Sequence, residues 1–196
     1  RFVTSLPDQL NNIIDDILPH VVSLAFNSCG CRVIQKLFEY YGIDLIEPIV
    51  QAVLDNAVSL ATNQYGNYVV QNILSAHHPD HLRSLIRSFS GNFYSFSMHK
   101  FASNVIEKCI RNVTPEERNE IFEEIIGVPG NFNEDRILEM VEDQFGNYVI
   151  QRIIEFGTEE QLYAIFDVVD SNYDKLFNRQ YAKYVISRLE GKGFNF

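Results

Sequence analysis

The chain has 196 residues, 46% apolar and 21% charged, with a formal net charge of −10. That is enough apolar material for a substantial core and too much for a disordered chain. No apolar run reaches the roughly 18 residues of a membrane span, and no charged-then-apolar leader stands at the N-terminus. The acidic balance argues against a protein that grips nucleic acid through its phosphates, but not against one that reads bases by stacking and hydrogen bonding.

In chain order, Leu6, Leu10, Ile13, Ile14 and Ile17 fall at helical spacing, and Pro7 after Ser5 suits a helix start. A short helix is expected over 19–26, then a longer one over 30–41 that Gly42 stops, then a third over 44–56. The same order returns from Val58 to Ser75. The loop Ala76–His81 follows, and its histidines, His77, His78 and His81, are expected to be exposed. Thr114, Pro115, Glu116 and Glu117 read as an N-cap, a proline at the first helical position and an acidic first turn. Gly127, Pro129, Gly130, Asn131 and Asn133 mark a loop, and Thr158 opens another helix that runs through Val169.

Chemistry-bearing motifs are scarce. Three cysteines, Cys29, Cys31 and Cys109, without framework spacing read as reduced thiols of an intracellular, cytoplasmic protein. Cys29 and Cys31 have no second Cys or His pair at zinc spacing, so neither metal nor cofactor is expected. There is no nucleophile elbow, phosphate loop or HExxH, so the chain is not read as an enzyme. Asp15–Asp16 and Glu123–Glu124 are adjacent pairs that do not face each other on a helix, and read as solvated charge.

The informative feature is repetition. Residues 64–74, QYGNYVVQNIL, return at 144–154 as QFGNYVIQRII, with looser copies at 28–38, 100–110 and 180–190. Each copy carries a small residue, Gly30, Gly66, Ala102, Gly146 and Ala182, at steps of 36, 36, 44 and 36 residues. A fixed period of this size is the signature of a stacked-repeat protein. The fold expected is all-α, a right-handed superhelical solenoid of three-helix, 36-residue repeats with no β-sheet. Its parts are 1–17 as the end of an upstream repeat, four repeats at 18–53, 54–89, 90–133 and 134–170, and a C-terminal cap at 171–196.

On a helix of about 100° per residue, Val69, Val70, Ile73 and Leu74 form one arc and Asn67, Tyr68, Gln71 and Asn72 the other. The apolar arc must be buried. The polar arc is refilled from a short menu in every copy. A first slot holds Cys31, Asn67, Ser103 and Asn147; its neighbour holds Arg32, Tyr68, Asn104 and Tyr148; four residues after the first stand Gln35, Gln71, Glu107 and Gln151. First and fourth-on slots share a face, while the neighbour points to the gap between repeats. Two pincers with a planar side chain beside them suit a flat ligand met edge-on, such as a nucleobase. The next position holds Lys36, Asn72, Lys108, Arg152 and Arg188, a basic row that offsets the acidic field locally.

These residues, CRVIQ at 31–35, NYVVQ at 67–71, SNVIE at 103–107 and NYVIQ at 147–151, resemble the Pumilio (PUF) family of RNA-binding repeat proteins. The resemblance covers nearly the whole chain and points to the C-terminal half of such a repeat domain. It implies single-stranded RNA as partner, with the first and fourth-on slots on the base edges and Arg32, Tyr68, Asn104 and Tyr148 stacking between bases. The eroded last copy places Lys183, Tyr184 and Ser187 in the slots, and Tyr184 remains a candidate stacker. In that family the loop corresponding to 127–133 meets protein partners, such as repression or deadenylation factors.

The slot chemistry spells bases. Guanine offers two donors, N1–H and the N2 amine, and a carboxylate only accepts, so Glu107 beside small Ser103 fits guanine. Amides donate and accept, so Asn67 with Gln71 and Asn147 with Gln151 fit uracil, while Gln35 with small Cys31 admits adenine. The resemblance implies an RNA antiparallel to the protein, which gives 5′-UGUA-3′ and a role on mRNA 3′ untranslated regions in translational repression. A protein-binding solenoid of the armadillo or HEAT type is the alternative.

Overall fold

The computed structural model describes residues 7–41 and 44–196. Ser5, Leu6 and Gly42, expected at a helix start and stop, lie outside them. The chain divides into two compact units, residues 1–89 and 90–196. In the first, α1 (Pro7–Ile17) leads through a 3-10 turn (Leu18–His20) to α2 (Val21–Ala25) and α3 (Gly30–Tyr41). A second 3-10 turn (Asp44–Ile46) precedes α4 (Glu47–Leu54), α5 (Ala57–Ala61), α6 (Gly66–Ser75) and α7 (Pro79–Phe89).

The second unit contains α8 (Phe93–Ser97), α9 (Ala102–Asn112) and α10 (Pro115–Ile126), then β1 (Gly127–Val128) and β2 (Asn131–Phe132). It continues with α11 (Glu134–Glu142), α12 (Gly146–Phe156), α13 (Glu159–Ser171), α14 (Tyr173–Leu176) and α15 (Ala182–Glu190). Each repeat is a first helix of 5 to 9 residues, a helix that carries the three slots (termed the reading helix) and a third helix. The reading helices are α3 and α6 in one unit and α9, α12 and α15 in the other. α3 packs on α2 and α6, and α12 packs on α9, α11 and α15.

The apolar arcs are the core. Val69, Val70, Ile73 and Leu74 are fully buried, as are Val105, Ile106, Val149, Ile150 and Ile153. Burying a side chain of this size contributes about 1.5–3 kcal/mol before entropy is counted. Val33 departs from its counterparts Val69, Val105 and Val149: it is 47% exposed, and among the described residues no reading helix precedes α3 to cover it.

The small residue that anchors each copy is a consequence of crowding. A Cβ on Gly30 would lie 2.5 Å from the Leu24 carbonyl oxygen, and one on Gly66 would lie 2.9 Å from that of Leu60. The short helix thus passes within contact distance of the first turn of the reading helix. Gly66→Ala is expected to lower stability by about 1–3 kcal/mol through overpacking, read by chemical denaturation. Ala102 and Ala182 occupy the same place and are fully buried, so alanine can be accommodated there when the neighbouring helix is built for it.

Helix starts follow the expected chemistry. Thr114 and Glu117 form a reciprocal cap, Glu117 N–H to Thr114 Oγ1 at 3.3 Å and Thr114 N–H to Glu117 Oε2 at 3.0 Å. Thr158 and Gln161 do the same, and buried Gln161 also donates to Asn119 Oδ1 at 2.8 Å.

Three expectations are corrected. A two-stranded antiparallel hairpin, Gly127 opposite Phe132 and Val128 opposite Asn131, breaks the purely helical pattern within the 127–133 loop. Gly127 has φ +93°, and a Cβ there would meet Asn131 O at 2.6 Å, which is why a glycine opens the turn. His81 is not exposed: α7 begins at Pro79 and turns the ring inward against His78, with Nε2 3.1 Å from Glu47 Oε1. Glu124 is not mere solvated charge, since its carboxylate accepts from Gly91 N–H (2.9 Å) and Phe93 N–H (2.8 Å) at the start of α8.

Candidate nucleic-acid interface

Each reading helix from α3 to α12 is opened by a side chain three residues before its small anchor. Asn27 Oδ1 accepts from Cys29 and Gly30 N–H at 2.9 and 3.0 Å, and Asn63 Oδ1 from Tyr65 and Gly66 at 2.8 and 3.0 Å. His99 Nδ1 serves Phe101 and Ala102, and Asp143 Oδ1 serves Phe145 and Gly146. Orphan N–H groups of the first turn are thereby satisfied and the helix entry is fixed. Sequence reading missed this set, although an acceptor at a constant offset from the anchor was there to be seen. Arg179 stands at the same offset in the eroded copy.

The three slots occur at three depths. First-slot residues are buried: Cys31, Asn67 (2% exposed), Ser103 and Asn147 (0%). Fourth-on residues Gln35, Gln71, Glu107 and Gln151 are half-buried. The neighbours are exposed: Arg32, Asn104, Tyr68 (55%), Tyr148 (51%) and, in the last copy, Tyr184. The first slot therefore lies beneath the surface rather than on an open polar arc.

The two Asn–Gln copies are built alike, one in each unit. Asn67 Nδ2 donates to Asn63 O at 2.8 Å, and a backbone carbonyl can only accept, so Asn67 Oδ1 is left to take Gln71 Nε2 at 2.9 Å. Asn147 donates to Asp143 O at 2.8 Å and accepts from Gln151 at 3.1 Å. Each glutamine keeps one N–H and its carbonyl oxygen for a ligand, side by side. Gln35 instead donates to Cys31 O of its own helix at 3.1 Å. Glu107 is the acidic member: burial pushes its carboxyl up, opposed by Arg152 and Arg111.

In the first unit a cavity of about 560 Å³ is lined by Arg32 and Tyr68 together with Cys31 and Gln35. In the second, Gln151 and Tyr184 wall a cavity of about 370 Å³ with Ser187 and Arg188. Each joins the fourth-on side chain of one copy to the planar side chain of the next, with faces for stacking and an edge for hydrogen bonding. The expected basic row is interrupted. Lys36 is engaged by Glu39 at 2.5 Å, and Arg152 is buried, bonded to Glu155 and facing Glu107. Cys109 is fully buried, which pushes its thiol up to about 12 and makes it inert. No helix among the described residues is long and apolar enough to cross a membrane.

Stacked three-helix repeats with a recurring set of slots on each second helix define an α-helical repeat protein of the solenoid class. The model of the Pumilio-family RNA binding repeat matches residues 20–54, 56–86, 92–126 and 136–169. The chain belongs to the Pumilio family. Its fold is similar to the Puf3 RNA binding domain bound to a Cox17 RNA 3′ UTR recognition sequence, with 28% identity, TM-score 0.82 and coverage of 96% of this chain and 53% of that one. It is also similar to PUF-8 in complex with PBE-RNA, with 26% identity, TM-score 0.77 and coverage of 96% and 55%. The Pumilio domain-containing protein C4G8.03c of Schizosaccharomyces pombe is 28% identical over 81 residues, 41% of this chain and 10% of that protein. The chain thus spans about half the length of the two similar domains, and its 81 matched residues span a tenth of the fission-yeast protein.

Proposed function

We propose that the chain is a sequence-specific single-stranded RNA-binding module, without catalytic activity, that reads 5′-UGUA-3′ one base per repeat. The observation that carries this reading is the recurrence, in four reading helices, of a buried first slot, a half-buried edge slot and an exposed neighbour. The RNA bound by similar domains supports it. Unit 90–196 takes UG and unit 1–89 takes UA. Gln151 and Gln71 offer the carbonyl to uracil N3–H and the free N–H to a uracil oxygen, while Asn147 and Asn67 hold those amides in orientation. Ser103 leaves room for a purine, and Glu107 accepts from guanine N1–H and N2–H. Gln35 meets the adenine edge above small Cys31.

Arg32, Tyr68, Asn104, Tyr148 and Tyr184 lie between successive bases. Stacking is worth roughly 1–3 kcal/mol per base before ordering costs. The biological role that follows is recognition of mRNA 3′ untranslated regions in the cytoplasm for post-transcriptional repression. The loop at 127–133 is the surface for repression or deadenylation factors. Ultraviolet crosslinking of the chain to a labelled UGUA-containing RNA, competed by UGUA and by a scrambled sequence, tests it. Crosslinking competed by UGUA alone is expected; equal competition by both would refute base reading, and absence of crosslinking would favour a protein-binding solenoid.

The acidic slot also fixes a pH dependence. Guanine's two donors need an ionised Glu107, and its carboxyl is held above the usual glutamate range by burial. Preference for guanine is therefore greatest where Glu107 is ionised and fades as pH falls through that raised value, before ordinary surface carboxylates titrate. For folding the sign is opposite: an ionised, half-buried Glu107 costs stability above its unfolded pKa, and protonation relieves the cost as pH falls. Fluorescence anisotropy with UGUA and UUUA across the acidic range checks this. A ratio of affinities that stays constant with pH would contradict it.

A further inference from the structure

Glu107 is the acid among the fourth-on slots, and it is met by a buried guanidinium from the next reading helix. Arg152 follows Gln151 on α12, but its side chain turns inward. Its Nη1 bonds the Glu155 carboxylate three residues on, and its Nε lies 3.6 Å from Glu107 Oε2 on α9. That Nε is buried and has no hydrogen-bond partner. A buried N–H facing a carboxylate across 3.6 Å, with nothing else to satisfy it, is set to close onto that oxygen when the slot is filled. The corresponding positions in the other reading helices hold Lys36, Asn72, Lys108 and Arg188. Lys36 and Arg188 are exposed, and Lys108 and Asn72 are half-buried.

We propose that Arg152 is a positioning residue for guanine selectivity: its Nε–H holds Oε2 of Glu107, so that the ionised carboxylate presents acceptors to the base. The inference rests on the base-reading function above. Burial alone favours a protonated Glu107, and Arg152 from α12 with Arg111 from Glu107's own helix are the cations that oppose it; Glu155 shares Arg152 from its other side. A protonated carboxyl both donates and accepts. It matches uracil or adenine as well as guanine, so losing Arg152 removes discrimination rather than affinity as a whole.

The test uses the full chain and two RNAs differing at one base, UGUA and UUUA, with circular dichroism melting to establish that each variant folds. Arg152→Met is expected to cut the UGUA-over-UUUA affinity ratio about tenfold, the effect of losing one charge-assisted hydrogen bond. UUUA binding should change little, and Arg152→Lys should keep most of the ratio. If Arg152→Met does not fold, Arg152→Leu, which likewise removes every donor and the charge, gives the same reading. A folded variant that retains the wild-type ratio, or loses affinity for both RNAs in proportion, overturns the proposal and leaves Arg152 a structural strut. If wild type shows no ratio, base reading itself fails, and the role of Arg152 fails with it.

Discussion

Replacing Ser103, Asn104 and Glu107 by Asn, Tyr and Gln is expected to convert the third repeat from guanine to uracil, so that UUUA displaces UGUA as the preferred RNA. The variant rebuilds on α9 the arrangement found on α6 and α12, where a buried Asn holds a Gln amide through a bond of 2.9 or 3.1 Å. His99 O stands where Asn63 O and Asp143 O take the asparagine N–H, so an asparagine introduced in place of Ser103 would find the same carbonyl. A mismatched base leaves buried donors or acceptors unpaired, which costs about 1–3 kcal/mol, or up to roughly a hundredfold in affinity. Ser103 is buried, so Ser103→Asn is the risky member of the three. Asn67 and Asn147 fit at the same depth in their own repeats, which argues that the fold accepts it. Binding of both RNAs by both proteins, measured by anisotropy, should show a crossover; equal binding of the two RNAs by both proteins would mean that the slots do not read bases.

The largest effect on stability is expected from the third helix of that same repeat. Phe122 on α10 is fully buried, with Ile121, Ile125 and Ile126 beside it in the sequence, all fully buried. Phe122→Ala removes the ring and leaves a cavity that the surrounding helices fill only in part, at a cost of about 3–5 kcal/mol. Denaturant unfolding of the second unit should shift by that amount. Because Phe122 does not stand in any slot, base preference of the folded fraction should be unchanged. A loss below about 1 kcal/mol would mean that the site collapses around the smaller side chain.

Periodicity made the repeat, the reading helices and the angular order of the slots legible in the sequence, because small anchors and apolar pairs recur at a fixed offset. The span 30–41 and the caps at Thr114 and Thr158 were readable for local reasons, a glycine start and threonine followed by acidic or amide residues. Depth was not readable. A helical wheel assigns Asn67 and Gln71 to the same arc, yet Asn67 is buried and Gln71 half-buried because depth depends on how closely the adjoining helices approach. His81, Glu124 and Arg152 depart from what their sequence neighbourhoods suggest for a related reason. Each is polar and sits beside loop or surface residues in the sequence, but each finds its partner on a different helix, Glu47 on α4, the start of α8, and Glu107 on α9. Such pairings at long sequence separation leave no periodic trace.

Selection from a random RNA pool with this chain tests base reading by the four repeats most directly. The recovered sequences are expected to share 5′-UGUA-3′, and guanine at the second position is expected to be lost when Glu107 is changed to Gln. Recovery of no common word, or of one whose second base does not depend on Glu107, would contradict it.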